Sequence, residues 1–212
     1  WMRNAIPLFE CPDPEIETIY YFRWWTFRKH IRQTPEGYVI TEFLPPVPWA
    51  GPFNTISCAL GHHFREGRWL RDGRYLVDCA RFWLRGGGEL RTDPETNRGY
   101  SCWIADSVLA LAEVTGCFDL CRELLPDLMA NYEAWERTHR DPNALFWQRD
   151  IRDGMEYSIS GQLAPDGAGY RATINSYMFG DAMAISKIAE QKGDFQTAIR
   201  FREKAEEIRR LM

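Results

Sequence analysis

Between residues 147 and 161 the chain reads Trp-Gln-Arg-Asp-Ile-Arg-Asp-Gly-Met-Glu-Tyr-Ser-Ile-Ser-Gly. Three acids (Asp150, Asp153 and Glu156) stand here with Arg149, Arg152, Trp147 and Tyr157. Carboxyl groups in such company suit acid–base work. Hydrolysis of a glycosidic bond needs one carboxyl to protonate the leaving oxygen and a second, across the scissile bond, as base or nucleophile. Asp153 and Glu156 are three apart and meet if the segment is helical. Like charges nearby and the aromatic walls of Trp147 and Tyr157 raise a carboxyl pKa, as a general acid requires. Arg149 and Arg152 pull the other way and hold Asp150 or Asp153 ionised. The competing reading is a solvated loop held by ion pairs. Further candidates lie at the starts of helical segments: Trp103 and Asp106, then Asn175 and Tyr177. Trp25, next to Trp24, adds one more, because adjacent helical residues face different ways and one of the two indoles can face a site.

The elements that must position these residues are helical. Asp13 and Pro14 form an N-cap and first position, and the apolar pattern runs on to about Ile31. Residues 38–43 (YVITEF) read as a short strand or extended piece. The proline-rich run from Leu44 to Pro52 is a loop of the kind that lines a site. Helical segments are then expected from Asn54, as cap, to Arg65, then over 69–84, 100–115, 118–138, 173–191 and from Phe195 to the end. Three joints repeat Gly, any residue, then a large aromatic: Gly67-Arg68-Trp69, Gly116-Cys117-Phe118 and Gly193-Asp194-Phe195. Glycine is the favoured residue just past a helix end. Short joints imply antiparallel neighbours, hence a series of αα-hairpins. The connections between hairpins, near 85–100 and 140–172, are long and polar. An open solenoid of helical repeats has short loops on both sides. The long connections therefore favour a toroid with a decorated end.

Composition excludes several classes. A net charge of −4 gives no drive toward nucleic acid or an acidic membrane. No apolar run is long enough to span a bilayer. The 45% hydrophobic content is that of a folded domain. Cys11, Cys58, Cys79, Cys102, Cys117 and Cys121 form no CxxC pair and have no histidines at zinc-finger spacing. Most of them read as buried thiols, which mildly favours a reducing compartment without assigning one. His62 and His63 point in different directions on a helix and make a poor metal pair. Gly86-Gly87-Gly88 lacks the lysine and the strand–turn–helix setting of a phosphate loop, and no GxSxG elbow occurs. Neither metal nor cofactor is expected. Trp1 is not an initiator, and Arg209-Arg210-Leu211-Met212 stops inside a helical pattern. The chain is thus expected to be a piece of a longer one.

Asp153-Gly154-Met155-Glu156-Tyr157-Ser158 resembles a loop of the trehalase-like (α/α)6-barrel glycoside hydrolases, which include the family 63 glucosidases and the mannosylglycerate-hydrolase-like enzymes. Their loop reads roughly Ser-Gly-aromatic/Leu-Asp-x-Ser. Gly154 matches the Gly, Met155 the apolar residue, Glu156 the acid and Ser158 the Ser. Thr173-Ile174-Asn175-Ser176-Tyr177-Met178 resembles the element that opens the next inner helix, and Gly193-Asp194-Phe195 through Glu206 the hairpin after it. The resemblance covers 100–212 well and the first hundred residues loosely. It implies an all-α fold, about half of an (α/α)6 toroid, with residues 1–212 forming the N-terminal half of a single catalytic domain and the rest of the chain supplying the other half. It implies inverting hydrolysis of a carbohydrate, with Glu156 as general acid and Trp147, Tyr157, Trp103, Asp150, Arg152 and Asn175 holding the sugar. Two departures stand out. The acid is Glu rather than Asp, which moves the carboxyl by about 1.5 Å and keeps Asp153 as an alternative acid. The base of such enzymes is a late Glu, expected beyond Met212. The rival readings are a non-catalytic helical-repeat binding protein and another toroid enzyme, such as a sugar epimerase or polysaccharide lyase.

Overall fold

The computed structural model describes residues 1–86, 99–142, 145–155 and 167–212. Eight helices are found among them: α1 (Met2–Ala5), α2 (Pro14–His30), α3 (Leu60–Gly67), α4 (Arg74–Arg85), α5 (Ile104–Thr115), α6 (Asp119–His139), α7 (Ala172–Lys192) and α8 (Phe195–Leu211). Two short antiparallel hairpins accompany them, β1 (Ile31–Thr34) with β2 (Gly37–Ile40), and β3 (Trp147–Gln148) with β4 (Gly169–Tyr170).

The helices lie in two layers. α3, α5 and α7 pack side by side, and each leads through a short joint to an antiparallel partner, α4, α6 or α8. The apolar faces of both layers share one core, in which Phe64, Leu124, Ile174, Phe201, Tyr132 and Trp135 are fully buried. Ion pairs stitch the second layer together. Arg81 and Arg85 reach Glu123, Lys204 reaches Glu136, and Arg140 reaches Glu207. This is the hairpin architecture of an (α/α) toroid, as the joint pattern predicts.

The joints are not all alike. Gly116 (φ 71°) and Gly193 (φ 82°) close α5 and α7 in the left-handed conformation that favours glycine. Gly67 is still helical, and what requires a glycine there is contact. A Cβ would lie 2.8 Å from Cζ of Phe27 and 3.1 Å from Leu76. The next helix begins at Arg74, after a turn, and not at Trp69.

Asn54 is not a helix cap. It has a positive φ of 58° and uses its side chain to hold the proline-rich loop. Its Oδ1 accepts from the Val47 amide (3.0 Å), and its Nδ2 donates to the carbonyls of Pro45 (2.9 Å) and Phe43. A short 3-10 turn, Ser57–Ala59, then leads into α3. The strand expected over 38–43 stops at Ile40, because β1 offers only four partners. Asp78, on α4, accepts from the Tyr38 amide (3.2 Å) and ties α4 to β2.

The connections before α3, α5 and α7 all enter the N-termini of the first layer, so they gather at one end. Ser57 Oγ donates to the Tyr100 carbonyl (3.5 Å), and the Ser101 amide donates to the Arg152 carbonyl (2.9 Å). These two bonds join the three connections into one surface opposite the tight joints.

Candidate active site

The charged segment is built on a tight turn. The amides of Arg152 (3.1 Å) and Asp153 (2.9 Å) donate to the Arg149 carbonyl, and those of Asp153 and Met155 (both 3.0 Å) to the Asp150 carbonyl. Gly154 has φ 69° and approaches Cys58, whose Sγ would be 3.2 Å from a Cβ at that position. Asp150 is buried and pairs with Arg171 at 2.5 Å. Arg171 also donates through Nε to the Gln148 carbonyl (3.1 Å) and through Nη2 to the Gly167 carbonyl. Met155 and Gly167, which flank residues 156–166, are thus both anchored on this buried pair.

Asp153 is the next carboxyl along. Its residue is 6% exposed, and among the described residues no donor meets either carboxyl oxygen in good hydrogen-bond geometry, although the Ser101 and Thr173 hydroxyls stand near. The Ser101 hydroxyl beside it is equally unpartnered. Burial pushes the Asp153 carboxyl above the usual range, and the nearby hydroxyls of Ser101 and Thr173 and the charge of Arg171 offset only part of this. A buried carboxyl without donors costs stability. Such groups concentrate where protons are moved.

An aromatic platform adjoins it. Trp103 and Tyr177 rings lie 4.3 Å apart, and His62 meets the other side of Trp103 edge-on at 4.9 Å. Gly61 makes room for the indole, since a Cβ there would sit 1.9 Å from Cε2 of Trp103. Burial first, and then the charge of Asp153, raise the pKa of the Tyr177 hydroxyl.

A cleft of about 930 Å³ opens beside the turn. Arg152 and Gly154 line it together with Tyr100, Trp83, Cys58 and Glu42. Arg152 carries its guanidinium 4.7 Å from the centre of the Tyr100 ring. The proline-rich loop contributes Phe43 and Trp49, whose rings meet edge-on at 5.9 Å. That loop was expected to line a site. Glu42 itself was not singled out, and only its place at the end of the YVITEF stretch, running into a rigid loop, could have marked it.

The structure thus brings together Asp153, Arg152, Trp103 and Tyr177. It gives other candidates different surroundings. The Asn175 amide is committed to backbone, accepting from the Phe146 amide (2.9 Å) and donating to the carbonyls of Phe146 (2.8 Å) and Arg171 (2.9 Å). The Trp147 ring lies 4.7 Å from that of His139. Asp106 pairs with Arg65, and its amide donates to Asp181 (3.0 Å). Trp25 lines a separate hollow with Trp1 and Arg28, under the Lys29 ammonium at 3.3 Å, while Trp24 is in the core. Glu156 and Tyr157 lie outside the described residues.

Asp181 is a buried carboxyl that sequence reasoning passed over. It sits mid-helix in α7 and accepts amides at the start of α5, those of Asp106, Ala105 and Ile104. Burial outweighs these bonds and pushes its pKa up to about 7. Among the described residues no group of His, Cys, Asp and Glu is arranged to hold a metal ion. Cys79, Cys102 and Cys121 are buried, Cys11 and Cys58 half-buried and Cys117 exposed. Among the described residues no helix is long and apolar enough to cross a membrane.

Comparison with known proteins follows the same direction. The family described as mannosylglycerate hydrolase MGH1-like glycoside hydrolase domain matches residues 52–212. A solved chain named "Sialidase" superposes with a TM-score of 0.88 at 43% sequence identity. That match covers 100% of this chain and 19% of the solved one. No curated protein matches.

Proposed function

Because this chain belongs to the mannosylglycerate hydrolase MGH1-like glycoside hydrolases, we propose that it carries the acid side of a site that cleaves a glycosidic bond with inversion. The whole protein hydrolyses a small saccharide or a glycan. The reading extends to the domain as well, in which residues 1–212 are the first half of one six-hairpin catalytic barrel and a base carboxyl comes from the other half.

Glu156 donates the proton to the leaving oxygen, which its match to the family's acid position supports. The observation that carries the reading furthest is Asp153, a buried carboxyl that no donor among the described residues meets in good geometry, beside the Trp103–Tyr177 platform and the cleft. This same observation favours a second reading, in which Asp153 is the acid, because its carboxyl is already biased toward the protonated form. In either case Arg152, stacked on Tyr100, and the Trp103–Tyr177 pair hold the sugar through a planar donor and aromatic faces. The Asp150–Arg171 pair acts indirectly, by fixing the turn.

Leaving groups of graded acidity separate the two acids. Replacing the acid by its amide slows cleavage of a poor alkoxide leaving group by about 10²–10⁴-fold. It slows a nitrophenolate far less, because that group departs without a proton. Glu156→Gln is expected to show this graded loss and Asp153→Asn a loss that does not depend on the leaving group. The reverse pattern assigns the acid to Asp153, and two variants as active as wild type on the poor leaving group would refute the segment as the acid's source.

A further inference from the structure

The cleft contains a carboxyl that the acid side of the reaction does not use. Glu42 follows β2, and its amide donates to the Asn54 carbonyl (3.1 Å). Through Asn54 the same contacts hold the Phe43 and Pro45 carbonyls, so Glu42, Phe43 and Trp49 are presented by one rigid loop. The Glu42 side chain is 30% exposed and lines the cleft that Arg152 and Gly154 also line. Among the described residues no hydrogen-bond donor reaches its carboxylate. The nearest basic side chain is that of His63, whose Nε2 is 3.9 Å away and too far to donate.

Among the described residues no neighbouring histidine donates a hydrogen bond to Glu42. His30 engages the Thr41 carbonyl (2.8 Å) and hydroxyl through Nδ1, and His62 faces Trp103. His63 is kept neutral down to about pH 4, by burial first and then by the charges of His30 and His62. It therefore does not become a cation that would close on Glu42 at neutral pH. A half-buried carboxylate in a cleft lined by aromatic rings is best satisfied by a ligand rich in hydroxyl donors.

We propose that Glu42 is a sugar-binding carboxylate, accepting hydrogen bonds from neighbouring hydroxyls of a ring seated against the Phe43–Trp49 pair. The proposal rests on reading the cleft as the sugar site. It adds that specificity for the hydroxyl pattern is set by the loop before α3, on the opposite side of the chain sequence from the acid segment.

Trp49 and Trp83 line the cleft, so tryptophan fluorescence of the full-length protein reports occupancy without turnover. The probes are glucose, mannose, galactose, glucuronic acid and N-acetylneuraminic acid. At least one is expected to titrate the wild-type signal. Glu42→Gln should weaken that affinity about tenfold or more, and Glu42→Asp by less. Asp72→Asn, on an exposed aspartate paired with Arg74, should leave it unchanged. Burial holds the Glu42 carboxyl above its ordinary range, against the opposing charges of His30 and His62. Wild-type affinity should therefore fall as pH drops through that raised range, and the Glu42→Gln variant should be flat there. Equal affinity and equal pH response in wild type and Glu42→Gln overturns the assignment while leaving the sugar site standing. No response of the wild type to any of the five overturns both.

Discussion

Two buried aspartates show how differently burial acts on the same group. Asp181 has helix amides to accept from, and Asp153 has none. Asp181 is structural, a cap supplied to α5 from α7. Its folded pKa of about 7 lies above the 3.8 of an unperturbed aspartate. The folded state thus keeps a proton that the unfolded chain has released, and the stabilisation is full below about pH 4 and lost as pH rises through about 7. Asp181→Asn keeps an acceptor and removes the titration. Denaturant midpoints measured from pH 4 to 8 should show wild-type stability falling relative to the variant across this window. Parallel curves would contradict the assignment. His63 titrates in the opposite sense in part of the same range, which is why the difference between the two proteins, not either curve alone, is the readout.

Among the elements, the turn at 149–155 and the inner-helix joints do the positioning. Asp150 and Arg171 are nearly solvent-free, and removing one partner of such a pair strands the other's charge. Asp150→Ala should cost about 3–5 kcal/mol in unfolding free energy. A loss under about 1 kcal/mol, the value of an exposed pair, would mean that the pair is not what anchors Met155 and Gly167. Gly193→Ala places a Cβ at φ 82° and should destabilise by about 1 kcal/mol. Gly67→Ala, at a helical φ, should cost at least as much through its clash with Phe27. Thermal unfolding of the two variants separates strain from crowding, because Phe27→Leu should relieve only the second.

This distinction also shows how far the sequence could be read. Gly116 and Gly193 were legible because glycine after an apolar helix has one dominant reason. Gly67 fits the same pattern for another reason, which depends on a phenylalanine forty residues away. The charged segment that begins at Trp147 stood out because its residue types are rare together. Asp150 and Asn175 looked equally suited to hold a sugar, yet their side chains meet Arg171 and the Phe146 backbone. Only a fold can show which polar groups are already occupied. Glu42 was hidden for the complementary reason: a lone acid at a strand end carries no pattern, and what marks it is that no donor among the described residues hydrogen-bonds it.

At the scale of the molecule, the first-layer helices run parallel, so every connection that enters them arrives at one end. Tight glycine joints occupy the other end and fix the spacing of the hairpins. The outer layer is joined by ion pairs whose side chains are largely exposed, worth well under a hydrophobic contact each. The core therefore holds the fold, and the decorated end is free to vary. That division places the Asp153 turn, the Trp103–Tyr177 platform and the cleft on one surface.

The central claim is that this surface supplies the acid of an inverting glycosidase. Proton NMR of the first sugar released by the full-length protein tests it most directly, using alkyl glycosides and disaccharides of defined anomer. The account predicts that wild type releases the opposite anomer before mutarotation, and that Glu156→Gln slows this release by about 10²-fold or more. Release of the same anomer as the substrate, or an undiminished rate in the Glu156→Gln and Asp153→Asn variants alike, would contradict it.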